Sequence, residues 1–181
     1  FEVTGVASDD VLNTRHGPGL NFKTTGSLQH DRRDVEVVAI DDSGSWGLTN
    51  IGEQARWVSM KFLTLQPGQI EGTFPEFLNC FGTEPFWNLR VSWPTSSPAV
   101  EFALAGEAIQ KFAVQRADGI NGRSVLMAGP KENDDINLLA AVDRQYCSDG
   151  MSDREFGLGV EFFLLNQGDW HSYSGCCSLV P

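Results

Sequence analysis

Residues 174–181 read Ser174-Gly175-Cys176-Cys177-Ser178-Leu179-Val180-Pro181, and they hold two of the chain's four cysteines side by side. A disulfide between sequence neighbours forces strained backbone geometry, so Cys176 and Cys177 are expected to bond elsewhere. In an extended segment adjacent side chains point to opposite faces. The two are therefore placed to reach Cys80 and Cys147 on different sides, and two pairings satisfy that condition equally. A structural zinc site is the competing use of four cysteines, but it is usually assembled from close Cys-x-x-Cys pairs. No pair here has that spacing. Two disulfides imply an oxidising compartment, a bacterial periplasm or the cell exterior. Bridges of this kind are worth about 3–5 kcal/mol each in loop-closure entropy, the upper end for one that ties residues near 177 back over about 100 residues.

Outward from the cysteines, the stretch from residue 74 is a series of short β-rich runs. They are Phe86–Trp93, Ala99–Leu104, Lys111–Gln115, Ser124–Met127, Leu158–Leu165 and Trp170–Ser174, with Ile136–Val142 open between strand and helix. Glycine and proline punctuate the intervals, and no 3.6-residue period persists beyond two turns. This pattern predicts an antiparallel barrel or sandwich of seven or eight strands over 74–181, stapled by the disulfides. Gln66-Pro67-Gly68-Gln69 and Gly72-Thr73-Phe74-Pro75 break the chain before it, so residues 66–73 are expected to form a linker.

Residues 1–65 carry their own pattern. Leu12-Asn13, Arg15 and Gly17-Pro18-Gly19 come first, then Gly26-Ser27-Leu28, the Val35–Val38 run, Trp46, and Trp57-Val58. Polar turns at Gly17-Pro18-Gly19 and Asp41–Ser45 separate the strands. The segment resembles a bacterial SH3 (SH3b) domain, with Arg56 where the family usually has glycine. That resemblance implies a small all-β barrel and a non-catalytic module that binds cell-wall peptidoglycan or peptide. On this reading Asn13 and Arg15 brace the Gly-Pro-Gly loop. Trp46 and Trp57 are expected in the small core, with a ligand-binding face as their alternative use.

Three motifs mark the second part: Cys80-Phe81-Gly82-Thr83-Glu84-Pro85-Phe86-Trp87, Cys147-Ser148-Asp149-Gly150-Met151-Ser152-Asp153-Arg154, and Gly175-Cys176-Cys177. Together they resemble a family of uncharacterised bacterial envelope proteins and lipoproteins, which implies a location but no activity. Candidate binding residues in these motifs are Glu84, Trp87, Asp149, Asp153 and Arg154. Glu84 is expected to cap backbone amides or to pair with Arg154, and Asp149-Gly150 is sound turn chemistry. The same carboxylates carry the alternative reading, a cell-wall hydrolase or hydrolase inhibitor acting through Glu84 and Asp149. A protein–protein interaction scaffold is the third.

The formal charge of −11 over 181 residues opposes nucleic-acid and anionic-lipid partners. Calcium-loop spacing, a nucleophile elbow, a phosphate-binding Gly-x-x-x-x-Gly-Lys and a histidine cluster are all absent from the sequence, so no metal or cofactor is expected. No apolar run reaches a transmembrane span. Phe1-Glu2-Val3 lacks the character of a signal peptide, and a signal removed before Phe1 is assumed. The expectation is thus a periplasmic or secreted binding protein without catalytic activity, its partner peptidoglycan or an envelope protein or peptide.

Overall fold

The computed structural model describes residues 1–66, 74–93, 97–120, 123–132 and 135–179. The fold is all-β, and the chain divides into two compact units. Unit 1 comprises Phe1–Gln69 together with Gly150–Glu155, and unit 2 comprises Ile70–Asp149 and Phe156–Pro181. Of the linker expected at 66–73, residues 67–73 lie outside the described residues.

In unit 1, β1 (Glu2–Val3) pairs with β7 (Leu63–Thr64). The remaining strands are β2 (Val11–Arg15), β3 (Thr24–Gln29), β4 (Ala39–Ile40), β5 (Trp46–Ile51) and β6 (Gln54–Ser59), and they form one sheet in the order β3-β2-β6-β5-β4. A single 3-10 turn, Met60–Phe62, leads into β7. Val3, Leu12, Val35, Val58 and Leu63 make the buried core, with Phe1, Val6, Leu28, Val37, Met60 and Phe62 packed around it.

Two expectations for this unit need correction. The Val35–Val38 run is not a ladder strand, because regular pairing with β5 begins at Ala39. Asp34 turns the chain with φ at 58°, and the Val35 N–H donates to the Phe1 carbonyl (2.9 Å). The run is apolar because Val35 fills the core, so hydrophobicity alone did not signal a ladder. Trp46 and Trp57 are half-buried and stand outside the core cluster. Val58 is fully buried and points inward, so its neighbour Trp57 faces the opposite side of the sheet. Trp46 likewise precedes Gly47, whose Cα faces Val37 and Met60.

Unit 2 is a closed barrel of eight antiparallel strands. They are β8 (Phe77–Thr83), β9 (Phe86–Ser92), β10 (Ala99–Leu104), β11 (Gln110–Ile120), β12 (Arg123–Gly129), β13 (Leu138–Cys147), β14 (Phe156–Asn166) and β15 (Asp169–Ser178). Each strand pairs with the next in sequence, and β15 returns to pair with β8, so the topology is an up-and-down meander. The segment left open between strand and helix is the start of β13. Period-2 alternation sets the wall: in β9, Trp87, Leu89 and Val91 point inward while Asn88 and Arg90 face out. The interior of an eight-stranded barrel is just wide enough for side chains to fill. Here Leu78, Leu89, Val100, Phe102, Leu126, Leu138, Phe162 and Leu164 do so. Trp87, Phe102, Phe162 and Tyr173 add a cluster of edge-to-face and stacked rings, with Trp87 and Phe162 centroids 4.9 Å apart.

The seam between β15 and β8 is short. Only Cys176–Phe81, Cys177–Cys80 and Ser178–Asn79 are in register, against nine pairs between β14 and β15. Cys80 and Cys177 lie directly opposite each other across it and are disulfide-bonded, both fully buried in the barrel core. Glycine lets the two strands approach closely beside the bridge. A Cβ added at Gly175 would collide with the Phe81 carbonyl, and one added at Gly82 would strike the Trp87 indole. Cys176, one residue from Cys177, faces outward and bonds Cys147 at the end of β13, with a Cα–Cα distance of 5.6 Å. The adjacent cysteines therefore staple the barrel from inside and from outside, and the open pairing resolves as Cys80–Cys177 and Cys147–Cys176. All four cysteines are paired, as in proteins of oxidising, non-cytoplasmic compartments. No helix among the described residues is long and apolar enough to cross a membrane.

Candidate functional site

Of the motif residues of unit 1, Arg15 and Gly17-Pro18-Gly19 come together at the loop between β2 and β3. Arg15 ends β2 and reaches over this loop: its Nη1 donates to the carbonyls of Leu20 (3.3 Å) and Phe22 (2.8 Å). The loop is closed at its base by the His16 N–H on the Lys23 carbonyl (3.1 Å) and crossed inside by Phe22 N–H on Gly19 (3.2 Å). The Phe22 ring lies against Gly17, where an added Cβ would stand 2.5 Å from it. Gly17 is therefore required by close packing, and Gly-Pro-Gly shapes the turn that presents the tip. Leu20 at that tip is 80% exposed and Phe22 is 39% exposed. Asn13 lies on the same face of β2 as Arg15 and is exposed, and Trp57 lies opposite Arg15 in register. Arg15, not Asn13, is the residue seen to brace the loop. Trp46 sits at the other end of the sheet, its N–H donated to Asp41 Oδ1 (2.8 Å).

Asp41 organises the polar turn before β5. Its carboxylate also accepts from Ser43 Oγ (2.7 Å) and from the Ser45 N–H (2.9 Å), with Gly44 at φ 71°. The Ser43 hydroxyl, followed by the Trp46 N–H, holds its pKa below the usual carboxylate value.

The Asp-Gly-Met-Ser-Asp motif is divided between the units. Asp149 belongs to unit 2, while Gly150–Glu155 belong to unit 1, where they lie against the β5–β6 hairpin. The Ala55 N–H donates to the Asp153 carbonyl (2.9 Å), and Gln54 and Asp153 form a parallel bridge. The Asn50 side chain reads the backbone of Glu155 on both sides: its Nδ2 donates to the carbonyl (2.7 Å) and its Oδ1 accepts from the N–H (3.1 Å). Asp153 thus contributes through its backbone while its side chain is exposed. The Arg154 N–H donates to Ser152 Oγ (3.2 Å).

In unit 2, Glu84 is exposed in the β8–β9 turn, on a cis peptide to Pro85. Trp87 is 5% exposed and belongs to the barrel core. Asp149 lines an open cleft of about 320 Å³ on the outer wall of the barrel. Its other polar walls are Thr83, Gln145, Ser148, Glu161 and Ser174, and the Cys147–Cys176 disulfide lies along it. The carboxylate that shares this cleft with Asp149 is Glu161, whereas Glu84 is not among the lining residues. Glu161 also acts on Arg123, whose pKa is raised first by its hydrogen bond to Asp143 (2.6 Å) and then by charge. Sequence reasoning passed over Gln145, Glu161 and Ser174. Glu161 had a signal, since it is the one charge within the apolar run Leu158–Leu165. Among the described residues no group of His, Cys, Asp and Glu is arranged to hold a metal ion.

No protein-family model, no curated protein and no solved structure matches this chain.

Proposed function

We propose that this is a periplasmic or secreted binding protein without catalytic activity, in which unit 1 acts as an SH3b-type module for cell-wall peptidoglycan or peptide. The observation that carries this reading is the loop tip between β2 and β3. Arg15 holds the carbonyls of Leu20 and Phe22, so two apolar side chains are presented to solvent on a backbone already ordered. A preordered apolar tip loses little conformational entropy on binding, which is how a small module achieves affinity. Arg15, Asn13 and Trp57 on the adjoining strand face supply the polar and aromatic contacts that orient a glycan or peptide. The cleft beside Asp149 and Glu161 gives unit 2 a place for a second ligand or envelope partner.

The test is co-sedimentation of the intact chain with purified peptidoglycan sacculi at moderate salt, with soluble products assayed in the supernatant. The expected result is binding that falls at least about tenfold in a Leu20→Ser/Phe22→Ser variant, as for loss of a buried apolar anchor. Absence of binding by the intact chain ends the proposal. Release of soluble wall fragments would replace it with the hydrolase reading.

A further inference from the structure

The two disulfides differ in what surrounds them. Cys80–Cys177 has both residues fully buried among the barrel's interior side chains, where a reagent can reach it only if the barrel opens. Cys147–Cys176 lies on the outer wall and lines the solvent-open cleft of about 320 Å³. Cys176 there is 2% exposed, but Cys147 is half-buried and borders the cleft together with Ser148 and Asp149.

We propose that Cys147–Cys176 is a thiol–disulfide exchange site, opened by an external dithiol while Cys80–Cys177 remains closed. One thiolate of the dithiol attacks Sγ of Cys147, the more exposed of the two residues. The Cys147–Cys176 bond breaks, a mixed disulfide forms at Cys147, and Cys176 leaves as a thiolate that takes up a proton. The second thiol of the dithiol then displaces Cys147 as its thiolate, which is protonated in turn. The dithiol ends as a disulfide, oxidised by two electrons, and the protein's cystine ends as two thiols. The barrel survives the step, because its seam is held from within by Cys80–Cys177 and by the β15–β8 register pairs.

The consequence falls on the connection that follows Cys147. Residues 148–155 join β13 to β14, and in this region the β13–β14 register is interrupted between Arg144 and Cys147. The outer bridge fixes the start of that connection to β15. Once it opens, Gly150–Glu155 lose that tether to β15 while their bonds to Asn50 and Ala55 within unit 1 remain. Arg154, half-buried when the bridge is closed, becomes open to proteolysis.

Native intact protein treated with increasing dithiothreitol, quenched with iodoacetamide and mapped by peptide mass spectrometry tests both steps. Cys147 and Cys176 are expected to alkylate at least about tenfold faster than Cys80 and Cys177, since local access precedes global opening. Tryptic cleavage after Arg154 should rise in step with that alkylation, and a Cys147→Ser/Cys176→Ser variant should show the raised cleavage with no reductant. Equal alkylation rates at the two pairs, or reduction of Cys147–Cys176 only in denaturant, overturns the exchange site. Unchanged cleavage after Arg154 once Cys147 and Cys176 are alkylated overturns its consequence.

Discussion

The two units close their β structure by different means. Unit 2 is a ring in which every strand has two neighbours, and among the described residues it buries seventeen side chains in one cluster. Unit 1 is a five-stranded open sheet and a two-stranded one around five buried side chains, and it takes in Gly150–Glu155 from far along the chain. A ring removes its edges by geometry and needs only a lock at the seam. An open sheet must cover its edges and hairpins with other backbone, and here Asn50 and Ala55 hold that cover in place. The same strand grammar thus rests in one unit on a closed ring around a large core, and in the other on a smaller core supplemented by specific side-chain-to-backbone hydrogen bonds at a hairpin.

The comparison can be broken first at the seam. Replacing Cys80 and Cys177 by serine releases a loop of 97 residues and should cost the barrel ~4.7 kcal/mol in loop-closure entropy alone. Cys147→Ser/Cys176→Ser releases 29 residues and should cost ~3.6 kcal/mol. Chemical denaturation followed by tryptophan fluorescence checks the order. Equal losses would mean that the seam is not the barrel's weak point. Trp87→Ala comes next. It removes the ring that packs on Phe162 and Tyr173 and should cost about 3–5 kcal/mol, shifting the barrel transition and leaving the unit 1 transition in place. A calorimetric trace that moves as a whole would merge the two units into one cooperative block.

Asn50→Ala is smaller. It leaves the Glu155 N–H and carbonyl without their side-chain partner and should destabilise unit 1 by about 1–3 kcal/mol, seen as faster proteolysis within residues 1–66. The smallest effect is at Asp41. Its folded pKa is depressed, first by the Ser43 hydroxyl, so its contribution is full above the unfolded carboxylate range. The contribution is lost as pH falls through the lower folded value. Asp41→Asn should therefore flatten the acid limb of the unit 1 melting curve and leave the neutral region nearly unchanged. A carboxyl-carbon NMR titration of Asp41 with an ordinary midpoint would contradict this.

Much of the barrel was legible from local pattern. Ala99–Leu104 and Leu158–Leu165 are strands because β-rich residues run between breakers, and the opposite facing of Cys176 and Cys177 follows from pleat geometry. The seam was not legible. Cys80 and Cys177 are 97 positions apart, and no short-range pattern specifies which distant strand completes a ring. The site was legible in part. Arg15 carried its role in a local motif, since the loop it braces begins at the next residue. Glu161 and Ser174 became neighbours of Asp149 only through the pairing of β13, β14 and β15, which is a tertiary fact. The partition of the Asp149–Arg154 motif was invisible for the same reason: Gly150–Glu155 find Asn50 about 100 residues away.

The meander has a consequence for the order of assembly. Seven of the eight strand pairings in the ring join consecutive segments, so each hairpin can form as soon as its second strand is available. The eighth pairing joins the first strand to the last. During synthesis the growing sheet must therefore wait, curled but unclosed, with the outer edge of β8 unpaired until β15 arrives. That waiting edge is where a neighbouring nascent chain would pair by mistake. Aggregation in production should accordingly track conditions that delay β15, such as truncation before Asp169, more than loss of any single core side chain.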